Sequence, residues 1–486
     1  MAGTRTLLVA ANRGPVSLVA GDDGTEVKRG GGGLVSGMQS ALAPDDDSPV
    51  DSVWVCAALT DHERLVARRA ERGHLGSLDL DTGGIDVRML AIDATTFSRA
   101  YNGIANSTLW FVNHLLYDTP VKPVFDAGWR RQWGAYERYN AAFAGALAEE
   151  AADGASVLVQ DYHLTLAPAL LRAQRPDLRI AHFTHTPWAP PELFRMLPDD
   201  VARQVLEGLL GADHAGFLCE RWKKSFLDCC AHVLGADVDG DVVTYDGRRT
   251  EVAVHALGTD GDQLRERARG RDVDARLAHL RDLVGDRRVI ARVDRTELSK
   301  NIARGLLAYR ELLRTHPEWL GKVCHVAYAY PSRHDLPEYR EYTAAVQRLG
   351  REIDDEFSTD DWTSLLLGVT DDYPGSLAAY RMCEVLLVNP IRDGMNLVAK
   401  EGPLLAEAGC ALVLSREAGA ADEMSDDALM VNPYDVQQTA EALHEALLMD
   451  DHERQRRCAA LAVAATALPP KQWFADQVAA LAALSR

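Results

Sequence analysis

Asn389-Pro390-Ile391-Arg392-Asp393-Gly394-Met395-Asn396-Leu397-Val398-Ala399-Lys400-Glu401 follows an apolar β-branched run over 384–388 and opens a helical pattern over 397–408. A buried strand therefore feeds a glycine-containing turn and then a helix. The free N–H groups at such a helix start form a ready site for an anion. Asp393, Leu397 and Glu401 recur every four residues, which predicts one shared side of the helical start. A simple helix cap would explain Asp393 but not Glu401.

The same strand–turn–helix unit repeats outward in both directions. Downstream of Gly258-Thr259-Asp260 the pattern predicts strands over 288–293, 322–328, 384–388 and 411–415, with helices over 302–315, 336–357 and 397–408. Upstream it predicts strands over 5–11, 156–160, 179–184 and 214–218, helices over 133–150, 198–210 and 221–234, and a hairpin over 242–257 turning at Asp246-Gly247. Alternation of this kind specifies parallel sheets wrapped by helices. The expected architecture is α/β, with two Rossmann-like domains: 1–258, and 259–464, with a C-terminal helix over about 465–486 packing back on the first. Ligands of such domains sit at strand carboxyl ends, so an interdomain cleft is the expected active site.

The chain has 486 residues, enough for two or three domains, and its 47% hydrophobic and 26% charged content is that of a folded protein. Lys and Arg number 52 against 72 Asp and Glu, a formal charge of −20. That balance argues against a nucleic-acid binder or a polybasic membrane protein. The amino terminus lacks a secretion signal and no run is long enough to span a bilayer, so a cytoplasmic protein without membrane or nucleic-acid partners is expected. Eight scattered cysteines without a C-x-x-C pair read as buried reduced thiols.

Several segments carry chemistry. Gly30 to Gly33 precede an apolar helical pattern and would either bring backbone N–H groups to a diphosphate or form a hairpin tip. A dinucleotide fingerprint fails in every register, since from Gly31 the last glycine would fall on Ser36, and no Gly-Lys-Ser/Thr follows. Asp161-Tyr162-His163 and His182 to His185 end consecutive strands, where polar ligands are met. Zinc binding by His182 and His185 is disfavoured because strand alternation turns them to opposite faces. Arg295 and Lys300 bracket a turn entering a helix, a phosphate clamp made of a bidentate fork and a compact charge. Two acidic segments, Asp79-Leu80-Asp81 and Asp237 to Asp241, read as surface turns rather than metal or phosphatase motifs.

Taken together, Ala11-Asn12-Arg13, Gly32-Gly33-Leu34, Asn102 to Trp110, Asp161-Tyr162-His163-Leu164, His185-Thr186-Pro187, Arg295 to Lys300, Ser332-Arg333 and Arg392 to Glu401 resemble the trehalose-6-phosphate synthase family. The resemblance runs in order from about residue 5 to 480. It implies a retaining glycosyltransferase of the GT-B fold that moves glucose from a nucleotide diphosphate glucose to glucose 6-phosphate. By that resemblance Arg13 and Arg333 hold the acceptor phosphate, and Tyr101, Trp110 and Asp161 surround the acceptor sugar. Arg295 and Lys300 hold the donor diphosphate with backbone at Gly32 and Gly33. Asp393, Gly394, Met395, Asn396 and Leu397 bind donor glucose and phosphate, His185 contacts that glucose, and Glu401 the ribose. Asp161, His185, Arg295, Lys300 and Asp393 are the implied catalytic residues. The resemblance implies front-face attack with the leaving phosphate taking the acceptor proton, and no cofactor or metal.

Three positions depart from the family pattern. Glu297 replaces an aspartate in the phosphate loop, Ala57 stands where bacterial relatives often carry tryptophan, and Asp371, in a segment that meets the base in the family, stands where relatives using UDP-glucose tend to have an aromatic residue. A carboxylate matches the paired N1–H and N2–H₂ donors of guanine, so GDP-glucose is the expected donor ahead of UDP-glucose, through Asp371 or Asp372. Two rival readings are a pseudoglycosyltransferase joining an activated cyclitol to an amino-cyclitol phosphate, and a non-catalytic regulatory subunit. The intact acceptor set Arg13, Tyr101, Trp110, Asp161 and Arg333 disfavours the first, and retention of every implied phosphate-binding position the second. Homo-oligomerisation is left open.

Overall fold

The computed structural model describes residues 4–21, 24–29 and 51–483. Its chain divides into two compact units, Met1–Leu257 with Pro470–Arg486, and Gly258–Pro469. Each is an α/β unit around its own sheet, as the alternation predicts.

In the first unit the strands are β1 (Arg5–Ala10), β2 (Val16–Gly21), β3 (Gly24–Arg29), β4 (Ser52–Ala57), β5 (Val87–Leu90), β6 (Ala151–Gln160), β7 (Arg179–Thr184), β8 (His214–Phe217), β9 (Asp237–Asp239), β10 (Val242–Tyr245) and β11 (Arg248–Val254). Among the described residues the main sheet runs β5-β4-β1-β6-β7-β8-β11-β10-β9. All six residues of β4 are buried, as are Leu7 to Ala10 of β1. Continuous apolar strands of this kind are stable only with helices on both faces, which is the parallel arrangement found from β5 through β11. Strand order reverses between β1 and β6, so the loops leaving these two strands diverge and open a crevice at their carboxyl ends.

The second unit holds β12 (Arg288–Arg295), β13 (Val323–Tyr330), β14 (Leu365–Gly368), β15 (Val385–Val388), β16 (Ala411–Ser415) and β17 (Leu429–Val431). They form an all-parallel sheet, β14-β13-β12-β15-β16-β17 among the described residues, with the reversal between β12 and β15. That is the Rossmann strand order, and its crevice lies where β12 and β15 end.

The structure corrects some expectations. Asp237–Asp239 is not a turn but edge strand β9, paired antiparallel with β10. The predicted hairpin does turn at Asp246 and Gly247, both at positive φ. An antiparallel hairpin of β2 and β3, unforeseen in the sequence, separates β1 from the glycine segment, and Gly30 to Gly33 themselves lie outside the described residues. The helix expected over 221–234 ends as Glu220–Cys229 and continues as a wider π-turn through Cys230–Leu234. All eight cysteines are free and buried. Among the described residues no helix is long and apolar enough to cross a membrane.

Candidate active site

In the second unit the turn after β12 and the turn after β15 meet through side chains. Lys300 Nζ donates to Asp393 Oδ2 at 2.5 Å and lies 4.0 Å from Oδ1 of the buried Asp294. Burial raises the Asp294 carboxyl, while Arg292 at 3.0 Å and Lys300 oppose that shift. Arg292, itself buried, donates to the Asn389 side chain and the Lys300 carbonyl. A cation pinned from behind in this way cannot swing, so Lys300 presents its charge in one direction. Arg295, at the exposed end of β12, has no polar partner among the described residues and is free to fold onto an anion.

Helix α1 (Leu397–Leu405) begins after this turn. Its cap is Asn396, at φ 80°, whose side chain accepts from Ala399 N at 3.2 Å and donates to Asp393 at 3.0 Å. Asp393 thus precedes the helix and serves Lys300 rather than capping, which corrects the expectation that Asp393, Leu397 and Glu401 share a helix side. The first-turn N–H groups of Leu397 and Val398 have no acceptor inside the helix and leave a partial positive charge there. Gly394 and the buried Met395 are held by the loop after β16: Gly419 N donates to Asp393 O at 3.1 Å and Ala420 N to Met395 O at 2.8 Å. One turn into α1, Glu401 is half-buried near Tyr380, whose hydroxyl lies 3.4 Å away. Burial pushes its carboxyl up to about 7.

Two sequence-predicted residues have structural partners. Arg333, at φ 43°, donates to Glu297 and to Tyr339, each at 2.7 Å, and Tyr339 donates in turn to Glu297. Glu297 is completely buried, so the longer side chain serves as the anchor of the phosphate loop. Asp372 caps α2 (Tyr373–Met382) through Gly375 N at 2.9 Å and pairs with Arg276 at 3.1 Å, which removes it as a free acceptor for a base. Asp371 beside it is exposed.

In the first unit the loops after β1, β6 and β7 assemble the remaining candidates. Asn12 is buried and accepts from Tyr139 at 2.6 Å, which leaves the adjacent Arg13 exposed and without a polar partner among the described residues. Asp161 takes φ 74°, a strained setting for a non-glycine residue, and its carboxylate accepts from His185 N at 3.2 Å. His185 also shares a 2.9 Å hydrogen bond with Gln160. Burial lowers His185 to about 3 and His182 to about 4, so both rings are neutral at physiological pH. Trp473, from α3 (Pro470–Ala483), packs 5.5 Å from His185 and edge-on to Phe183.

Tyr101 lies in an eleven-residue π-helix, Arg99–Leu109, directly ahead of Trp110. Ser107 and Thr108 hydroxyls donate to carbonyls five residues back, at 2.6 and 3.1 Å, which suits the wide turn. Such helices recur at functional sites. Tyr101 stacks between Phe97 and His163, and Trp110 on His114. Sequence reasoning missed Gln160, Arg292 and Tyr339, whose partners His185, Asn389 and Glu297 lie far along the chain, and Asp294, whose role follows from its burial beside Arg292 and Lys300. Glu297 alone left a signal, as a departure from pattern.

His316, Glu318 and His444 place metal-ligand atoms within 4.8 Å of one another, away from these strand ends. The two imidazoles stack at 3.6 Å and 12°, so one ion cannot lie in both ring planes.

The family model described as glycosyltransferase family 20 matches residues 5–483. This chain belongs to that family, the trehalose-6-phosphate synthases. It is 33% identical to the UDP-forming alpha,alpha-trehalose-phosphate synthase 2 of Aspergillus fumigatus, over 94% of this chain and 92% of that protein. It is 32% identical to the bifunctional trehalose-6-phosphate synthase/phosphatase of Thermoproteus tenax, over 94% of this chain but 60% of that longer protein. Among solved structures, the UDP-forming synthase of Burkholderia vietnamiensis superposes with a TM-score of 0.83 at 29% identity, covering 99% of this chain and 100% of that one. The E. coli structure with UDP-2-fluoro glucose gives 0.83 at 28%, covering 99% of each chain. The trehalose-6-phosphate synthase family member described here is accordingly a retaining, nucleotide-sugar-dependent glycosyltransferase of the GT-B fold.

Proposed function

We propose that this protein makes α,α-trehalose 6-phosphate by transferring glucose to glucose 6-phosphate with retention, and that UDP-glucose is its donor. The carrying observation is the Lys300–Asp393 contact at the Rossmann switch point, beside a helix amino terminus and Arg295, which has no polar partner among the described residues. These groups suit a sugar diphosphate: Arg295 and Lys300 neutralise the phosphates, the α1 N–H groups take the distal phosphate, and Asp393 orients the glucose hydroxyls. Glu401 accepts from the ribose.

On this reading Arg13 grips the acceptor phosphate, while Tyr101, Trp110 and Asp161 orient its sugar. The bond from the anomeric carbon to the diphosphate oxygen breaks as the bond to the acceptor hydroxyl oxygen forms on the same face. The hydroxyl proton passes to the departing phosphate oxygen, so no carboxylate nucleophile is needed. Negative charge growing on that oxygen is met by preorganised cations and amides, the kind of stabilisation worth about 10²- to 10³-fold per donor. A neutral His185, whose Nε2 donates to the Gln160 side-chain oxygen, keeps Nδ1 as an acceptor for a sugar hydroxyl without competing for the transferred proton.

The preference for GDP-glucose expected from the two aspartates is set aside because Asp372 is engaged by Arg276 and its helix cap, and because the similar synthases are named UDP-forming. Initial rates with UDP-, ADP- and GDP-glucose, with NMR assignment of the product linkage, test the reading. A fastest rate with GDP-glucose that falls on Asp371→Ala would restore guanine recognition, and a product other than the α,α-linked phosphate would overturn the reaction.

A further inference from the structure

A cavity of about 590 Å³ lies at the opposite end of the first unit's sheet from Asn12, Asp161 and His185. Its walls are the amino-terminal starts of β7 and β11, the turn entering β8 and the end of α3. Arg179 opens β7, Arg248 and Arg249 open β11, and Asp213 immediately precedes β8.

The carboxylates here do not balance the arginines. Asp213 is taken by Arg172 at 2.5 Å and by Ile180 N at 2.9 Å, and Arg248 reaches only its other oxygen, at 3.2 Å. Arg172 is otherwise spent on the carbonyls of Pro176, Leu178 and Gly211 and serves as a brace. Asp177 is held by Arg175. Arg179 and Arg249 have no ion-pair partner among the described residues, and the Nε atoms of Arg179 and Arg248 are buried without a hydrogen bond. Burial, and then repulsion from Arg172, lower the Arg248 guanidinium from its usual value. Glu251 at the rim is the one lining acid without a claimant among the described residues, so a net positive field remains in a chain of charge −20. A buried guanidinium N–H without an acceptor is costly, and a ligand that supplies the acceptor recovers that cost.

We propose that this cavity is a second anion site, which binds a small polyvalent oxyanion through Arg179, Arg248 and Arg249 and is separate from both sugar sites. Planar guanidinium forks pair bidentately with phosphate or carboxylate oxygens, and the cavity volume falls within the range of small-molecule sites. The position at strand amino ends places the ligand outside the reaction, as an effector rather than a substrate.

Isothermal titration of the full chain with inorganic pyrophosphate, and separately with citrate, under saturating UDP and glucose 6-phosphate, tests this. We expect one saturable equivalent that weakens as salt is added. The double substitution Arg179→Gln with Arg249→Gln should weaken it at least tenfold, whereas Arg69→Gln, at an exposed position elsewhere, should not change it. Arg179→Lys keeps the charge but loses the fork, and should cost several-fold. Basal turnover of these variants should match the parent and reports their folding; should the double variant unfold, Arg249→Gln alone should still weaken binding about threefold. Binding of pyrophosphate alone assigns the site to phosphates, and equal binding of citrate assigns it to oxyanions generally. Absence of a saturable equivalent, or unchanged affinity in the folded variants, overturns the proposal.

Discussion

Lys300 Nζ sits 2.5 Å from Asp393 Oδ2, joining turns 93 residues apart in the chain. The contact sets the position of a cation and a carboxylate at once. Lys300→Ala removes the cation and leaves Asp393 with Asn396 as its side-chain donor, so kcat/KM should fall by about 10²- to 10³-fold or more. Asp393→Asn keeps the shape and should cost mainly kcat. Steady-state kinetics with both substrates varied would measure these losses, and turnover unchanged in Lys300→Ala would refute its role.

Glu297 and Arg333 form a pair whose carboxylate is fully shielded. Deleting one member strands the other without compensation, a loss of about 3–5 kcal/mol for buried pairs. Glu297→Ala should show that loss in urea unfolding, and Tyr339→Phe, which removes one hydroxyl, a smaller one of about 1–2 kcal/mol. Glu297→Asp should fall between wild type and Glu297→Ala, since the shorter side chain reaches Arg333 less well.

Glu401 provides a pH signature. Its carboxyl stands at about 7 against an ordinary 4.5. The folded state therefore resists ionisation, and the stability penalty grows as pH rises from about 4.5 to 7 and is constant above. Glu401→Gln should consequently be more stable than wild type at pH 8 and equal to it near pH 4. If the carboxylate binds the ribose, donor KM should fall as pH rises through about 7 in the wild type and stay flat in Glu401→Gln.

Gly419 approaches the donor turn so closely that an added Cβ would meet the Gly394 carbonyl oxygen at 1.9 Å. Backbone must move to admit it. Gly419→Ala should lower stability by about 1–3 kcal/mol and raise donor KM more than acceptor KM. Thermal unfolding and the two KM values distinguish this from a general packing defect, which would move both alike.

The parallel α/β class, the strand-end location of Asp161, Arg295 and Asp393, and the family itself were legible in the chain. Buried parallel strands demand uninterrupted apolar runs, and the turns that follow them must carry the polar residues. Local pattern failed where a pairing partner, adjacent or remote, decided the outcome. Edge strand β9 looked like a turn because acidic residues disfavour strands, until β10 supplied its ladder. A helix cap remained an alternative for Asp393 in the sequence, whereas in the structure Asn396 takes that position and Lys300 claims the carboxylate. Asp372 looked available to a base until Arg276 and a helix start engaged it. The charge of −20 described a solvated surface, whereas the gathering of Arg179, Arg248 and Arg249 around one cavity came from β7, β8 and β11 lying side by side in the sheet. Sequence alone determined the alternating parallel α/β pattern and the strand-end turns that carry chemistry, because periodicity and backbone preference act over a few residues. Tertiary structure decided which charges are neutralised and which stay open to ligand, because electrostatics and burial depend on distance in space.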